Sequence, residues 1–338
     1  MTEVRFGPRD RQGPKAPSER TPVRVPGSVR RTTTLDGLHP DGPGGPTRFV
    51  LRARDLRTAA DGAASELGRV EVRLGLERPG GVLDVTSDPP EPRLGQLVGT
   101  DPSVGWRRRV AALLPDHGDD RSLLYLVLDA LSAWLGLSRF ALHAAGDAAG
   151  QEALPAGVRF DLRSRVDLCA GWQAGGTLLG LVGSGQSGGQ FVQPLAPVLE
   201  SADDPLGWHS SDPLPPFGAR RRRRVDVIAG SPVVVDAMFR DTAVDAEGRE
   251  GVLHEYSVAL TVDPDSMTVL SAEAEPRSLP YQECPEARVS AAQLVGHDVR
   301  SMRTFVGHEL RGTTTCTHLN ELYRTFGDIG ALVALVRS

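Results

Sequence analysis

The sequence predicts an α+β fold: a tandem duplication of an antiparallel sheet packed against C-terminal helices, joined by a Gly/Pro-rich bridging segment. Three observations predict it. Strand-type alternation precedes helix-type spacing in the C-terminal third, the same order of patterns occurs earlier in the chain, and 338 residues suffice for two units of ordinary size. The composition, 40% apolar and 24% charged, is that of a globular protein.

Taken in order, residues 1–27 hold Pro8, Pro14, Pro17, Pro22 and Pro26 among charges and are expected to be a disordered N-terminal tail. Residues 28–138 form the first α+β copy. Residues 139–219 are the bridging segment, marked by Gly183 to Gly189 and the prolines between Pro213 and Pro216, with some strand. Residues 220–338 form the second copy. There Val252, Tyr256, Val258, Leu260 and Val262 share one parity against Glu255, Ser257 and Thr261, which describes a strand with one buried face. Pro264-Asp265-Ser266 supplies turn chemistry, and Met267 to Glu275 pairs back as a hairpin. Val225–Ile228 and Val233–Phe239 add two strands. After Pro285, Phe305, Leu310, Leu319, Leu322, Phe326 and Ile329 recur at helical spacing and predict two or three helices.

The first copy repeats the plan. Val70, Val72, Leu74 and Leu76 alternate with Glu71, Arg73 and Glu77, Glu91-Pro92 resembles Glu275-Pro276, and Leu97-Val98-Gly99 returns as Leu294-Val295-Gly296. Trp106 to Leu114 and Leu123 to Leu131 match the later helices. The copies differ where chemistry could reside. The second carries an insert around Leu279-Pro280-Tyr281-Gln282-Glu283-Cys284-Pro285. It has Cys316-Thr317-His318-Leu319 where the first has Arg121-Ser122-Leu123-Leu124, and His254 where the first has Gly68. The first copy is expected to be structural.

Charge narrows the function. The formal net charge is -5, which opposes general phosphate binding, so no nucleic-acid partner is expected. The five arginines at 220–224 are expected to flank a strand and face solvent or acidic residues. No apolar h-region opens the chain. The longest apolar stretch, Leu123 to Leu137, is broken by Asp129 and too short for a bilayer, so a cytoplasmic protein with no membrane partner is expected. Three cysteines make no disulfide framework. Gly185-Gln186-Ser187-Gly188-Gly189 has the letters of a nucleophile elbow, but Gly188, Gly189 and Pro194 oppose the helix that motif needs.

The leading constellation is His254, Cys284, Cys316 and His318, whose imidazoles and thiols suit zinc or iron. Cys316 precedes a helix, where exposed amides and the helix dipole stabilise a thiolate. His318, two residues on, can join Cys316 only if the helix starts between them. The competing reading is burial, since free cysteines pack as small apolar residues. Cys169, in a segment expected to be a strand, Trp172 and His209 are further pocket candidates.

Arg30-Arg31-Thr32-Thr33-Thr34, Arg52-Ala53-Arg54-Asp55-Leu56, Gly207-Trp208-His209, the Leu279–Pro285 stretch and Cys316-Thr317-His318-Leu319 resemble a bacterial family known as a domain of unknown function, with a C-terminal Gly-Cys-Thr-His-Leu signature. Thr315 stands where that family has glycine. The stretch from His254 to Asp263, the turn, the second strand, a loop cysteine and a cysteine opening a late helix are also similar to the iron–sulfur scaffold proteins. That likeness implies His254 in place of a scaffold aspartate, and Cys284 and Cys316 as the middle and last cysteines, with the first cysteine missing near Val252. Two functions follow as expectations. One is a metal-binding or sulfur-handling module in the second copy. The other is a non-catalytic binding or accessory protein with a pocket between the copies.

Overall fold

Runs of Val, Thr and Ile with two-residue alternation build eight strands, and the chain folds them into one antiparallel sheet of order β4-β3-β2-β1-β5-β6-β7-β8. The strands are β1 (Ser28–Leu38), β2 (Thr47–Thr58), β3 (Ala64–Glu77), β4 (Gly81–Asp88), β5 (Ala219–Ile228), β6 (Val233–Val244), β7 (Glu250–Val262) and β8 (Val269–Pro276). The computed structural model describes residues 15–42, 45–77, 81–119, 122–148, 165–183 and 194–337, and at 119, 136–148 and 182–183 only the backbone. Residues 1–14, Arg121 and the Gly185–Gly189 motif lie outside the described residues.

Each half is a four-stranded meander, and the two halves meet where β1 pairs with β5 in antiparallel register, Thr33 opposite Arg223. The predicted hairpin is present: the Asp263 carboxylate accepts the amides of Asp265 and Ser266, and β7 returns as β8. Helices cover one face: α1 (Trp106–Leu113), α2 (Pro115–Asp119) and α3 (Leu123–Ala148) beside the first half, and α5 (Met302–Glu309), α6 (Thr317–Thr325) and α7 (Ile329–Arg337) beside the second. The short α4 (Thr177–Gly183) lies between. Two apolar clusters fill the layer under the helices, one around Leu51, Val72, Trp106 and Trp134, the other around Phe239, Tyr256, Leu319 and Phe326.

Several details recur in both halves. The β2–β3 pair is bulged beside Asp55, and the β6–β7 pair beside Asp241. Arg31 grips Asp55 through two nitrogens and Arg221 grips Asp241 in the same way. Gly99 and Gly296 both turn with positive φ, 79° and 85°, and donate to the opening valine of β4 and β8, Val82 and Val269.

Four expectations are corrected. The tail is ordered from residue 15 onward over its described part, because it has partners. Thr21 N–H donates to the Leu199 carbonyl at 3.1 Å, Arg24 pairs with Asp204 at 2.8 Å, and Ser18 N–H donates to Glu255 at 2.8 Å. This strap and residues 194–217 cover the sheet face away from the helices. Glu255, expected toward solvent, is therefore fully buried and paired with Arg240 at 2.6 Å. The arginine run does not flank a strand but lies within β5, one of the two central strands. Four of the five side chains have carboxylate partners: Arg220 with Asp36, Arg221 with Asp241, Arg222 with Glu200, and Arg224 with Asp226 and Asp236. The bridging segment begins later than expected in structural terms, since α3 runs on to Ala148. Among its described residues the segment makes isolated β-bridges, such as Leu195 with Gly251, and no strand.

Candidate functional site

The site grows from the bulge between β6 and β7. On β6, Val235, Ala237, Phe239 and Asp241 share one parity, so the pattern that buries three apolar side chains also carries a carboxylate into the layer under the helices. The bulge sets His254 directly opposite Asp241. Its Nδ1 lies 3.6 Å from Asp241 Oδ2. From the helix layer His318, the second residue of α6, brings its ring to 4.0 Å from that of His254, the planes tilted by 34°. Donor atoms of Asp241, His254 and His318 all lie within 4.8 Å of one another. Ligands around a tetrahedral zinc with bonds of about 2.0–2.2 Å stand roughly 3.3–3.6 Å apart, so side-chain shifts of about 1 Å close this set.

Electrostatics keep the donors in ligating form. Burial drives the His254 pKa down to about 4, with Asp241 pulling upward and Arg221 downward. Burial, the neighbouring His254 and Arg221 hold His318 well below the usual histidine range. Both rings are therefore neutral at neutral pH and retain a lone pair for a cation. Asp241, fully buried, is already held by Arg221 through Nε at 2.6 Å and Nη2 at 2.8 Å. Each carboxylate oxygen keeps acceptor capacity beyond that fork. The Arg221 guanidinium itself lies against Trp134 and Phe239, 5.7 Å and 5.6 Å from their ring centres.

Cys316 borders this set. It is the N-cap of α6 with extended backbone, φ −128° and ψ 127°, and the helix begins at Thr317. That start turns Cys316 and His318 to the same side, with Sγ 3.8 Å from Nδ1. The expected thiolate is not what the surroundings favour. Burial, reinforced by Cys169, outweighs the amides of Leu319 and His318 and pushes the thiol pKa up to about 12. A metal ion reverses that balance, because a coordinated thiol gives up its proton.

The other candidates fall nearby or on the opposite face. Cys284 opens the 3-10 helix Cys284–Leu294 and is buried against Gly171, whose Cβ, if it had one, would stand 2.9 Å from Sγ. The Tyr256 hydroxyl donates to the Cys284 carbonyl at 2.6 Å. Burial, then Cys316 and Cys169, raise the Cys284 thiol well above the ordinary range, so the three thiols sit within one another's fields. Cys284 is not part of the Asp241–His254–His318 donor set. Cys169 is not on a strand; it caps the 3-10 turn Ala170–Trp172, and its neighbour Ala170 donates to Thr315, one residue before Cys316. Trp172 packs on the core edge with Arg165 5.7 Å from its ring centre. His209 belongs to the strap face, where its Nδ1 and Nε2 meet the hydroxyls of Thr32 and Thr34 at 2.8 Å and 2.7 Å.

In the first half the matching place holds, among the described residues, the carboxylate and no histidine or cysteine beside it. Asp55 faces Gly68 across the bulge, and a Cβ on Gly68 would meet Leu123 at 3.7 Å, where the second half has His254 against His318. Asp241 was not among the sequence candidates, although its parity with Val235, Ala237 and Phe239 was the available signal.

The chain thus falls in the class of α+β proteins with an antiparallel sheet, one helical layer and a His/Asp donor cluster between them. Residues 219–331 match the model of a family described as a protein of unknown function (DUF2889). That segment contains all four predicted ligands and Asp241. No curated protein and no solved structure matches the chain. No helix among the described residues is long and apolar enough to cross a membrane.

Proposed function

We propose that the second half is a metal-binding module that holds a single transition-metal ion of the zinc class through Asp241, His254 and His318, with Cys316 as the fourth donor. The observation that carries this reading is the convergence of two buried, neutral imidazoles and a carboxylate within 4.8 Å. A single ion suits this set better than an iron–sulfur cluster, because a cluster needs several thiolates, whereas the converging donors are two imidazoles and a carboxylate, with Cys316 at their border, 3.8 Å from His318 Nδ1. Three free cysteines fit a reducing compartment, in line with the cytoplasmic expectation.

The two halves are read as diverged copies, of which the second kept or gained the site. The paired bulges, the Arg31–Asp55 and Arg221–Asp241 forks and the Gly99 and Gly296 turns support that reading. A nucleic-acid surface is disfavoured by the strap-face arginines, since Arg24, Arg30, Arg220 and Arg240 are each already paired with a carboxylate.

Metal analysis of the purified protein, followed by cobalt(II) titration under anaerobic conditions, tests the proposal. The expected result is near-stoichiometric metal, visible cobalt ligand-field bands, and a sulfur-to-cobalt charge-transfer band that Cys316→Ser removes while the ligand-field bands persist. His254→Ala should abolish binding. Wild-type protein that takes up neither zinc nor cobalt would overturn the proposal.

A further inference from the structure

Arg223 is the exception in the arginine run. It lies on the helix-facing side of β5, directly opposite Thr33 of β1, at the seam between the halves. Its side chain is 6% exposed, and neither Nε nor Nη2 has a hydrogen-bond partner. No ion pair engages it among the described residues. The Thr33 hydroxyl, facing it across the seam, is likewise buried without a partner.

Both residues line a cavity of about 30 Å³ closed over by α3, α5 and α6. Four guanidiniums border it, those of Arg31, Arg223, Arg303 and Arg324, against the three carboxylates of Asp129, Glu321 and Asp328. The carboxylates are all taken by other arginines. Asp328 meets Arg31 and Arg303 at 3.2 Å and 3.1 Å, Asp129 meets Arg303 and Arg324 at 3.2 Å, and Glu321 meets Arg107 at 2.7 Å. The unmatched positive charge is therefore that of Arg223. Burial, with Arg221 adding to it, lowers its pKa to about 10 against the upward pull of Glu321, Asp241 and Asp129, so the group remains charged at neutral pH. A buried charge without a counter-ion is among the costlier arrangements a fold can hold.

The protein itself indicates what Arg223 is shaped to hold. Arg30, Arg31, Arg220 and Arg221 each present Nε and Nη2 to the two oxygens of one carboxylate, Asp226, Asp55, Asp36 and Asp241 respectively. Arg223 carries the same two nitrogens without such a partner. We propose that the seam cavity binds a small monocarboxylate, gripped side-on by Arg223, with the Thr33 hydroxyl donating to one oxygen. Size and charge select the class. The volume corresponds to roughly two water positions, which suits a carboxylate of formate or acetate size. The three wall carboxylates disfavour a dianion such as phosphate, whereas one added negative charge balances the surplus.

Thermal unfolding and isothermal titration of the full chain with sodium formate and sodium acetate, against sodium chloride at matched ionic strength, test this. The expected result is saturable one-site stabilisation by formate or acetate that chloride does not reproduce. Arg223→Gln should weaken that binding by about ten- to a hundredfold, the range for a lost charge-assisted pair, and should not lower the melting temperature of the ligand-free protein. Should Arg223→Gln fail to fold, Thr33→Val takes its place, with an expected weakening of roughly three- to tenfold. Stabilisation no greater than that by chloride overturns the proposal, and so does unchanged affinity in the variant that folds.

Discussion

Acid should destabilise the protein through His209, by an amount that the structure allows to be worked out. The ring lies on the strap face between the hydroxyls of Thr32 and Thr34. Burial, then the positive fields of Arg54, Arg222, Arg52 and Arg220, lower its pKa from 6.5 to about 3. In the unfolded chain the ring titrates near 6.5, so between these values the unfolded state binds the extra proton. The stabilising contribution is fully present above pH 6.5 and is lost progressively as the pH falls toward 3. Between pH ~7.5 and pH ~5 the loss is about 2 kcal/mol by proton linkage. Residual contact of the ring with solvent makes that an upper figure. Urea unfolding of wild-type protein and His209→Gln at both pH values measures it. Glutamine keeps a hydrogen-bonding side chain but does not titrate, so the wild-type loss should exceed the variant's by about 2 kcal/mol. His254 and His318 titrate in both proteins and cancel in the difference. An equal loss in the two proteins would refute the reasoning.

Two further outcomes follow from packing and pairing. Gly171→Ala places a methyl group 2.9 Å from Cys284 Sγ, and should cost about 1–3 kcal/mol in denaturant unfolding; Cys284→Ala in the same chain should recover part of that loss, because the two side chains compete for one space. Arg221→Met leaves Asp241 charged, buried and without its fork, and should cost about 3–5 kcal/mol, whereas Arg221→Met with Asp241→Leu should restore most of the stability.

The elements most legible in the sequence were those with one dominant pattern. The β7–β8 hairpin, with its turn at Pro264-Asp265-Ser266, and a C-terminal run of two or three helices, of which the structure has three, followed from alternation and spacing. The arginine run misled because a charged stretch reads as surface unless its counter-charges are known. Those partners, Asp36, Asp241 and Glu200, come from β1, β6 and the 194–217 segment, and only tertiary structure brings them together. The same holds for Glu255 and for residues 15–27, whose burial and order are mutual: each supplies the other's partner. Within the site, His254, His318 and Cys316 stood out as rare residue types at informative positions. Asp241 did not, since a single aspartate among many becomes conspicuous only when its strand parity is set beside its register with His254.

The pairing of β1 with β5 has a consequence for how the molecule assembles. Every other pairing between the eight strands among the described residues joins neighbours in sequence, whereas Thr33 and Arg223 meet across 190 residues of chain. Each meander can therefore close from local turns at small entropic cost, while the central seam must await the approach of two distant segments. The ordering of events that follows is directional: the Asp241–His254 pair belongs to a local hairpin, and the chamber beside Arg223 comes into being only when the seam is sealed. Occupancy of the first reports that the second half has folded. Occupancy of the chamber reports that the whole chain has.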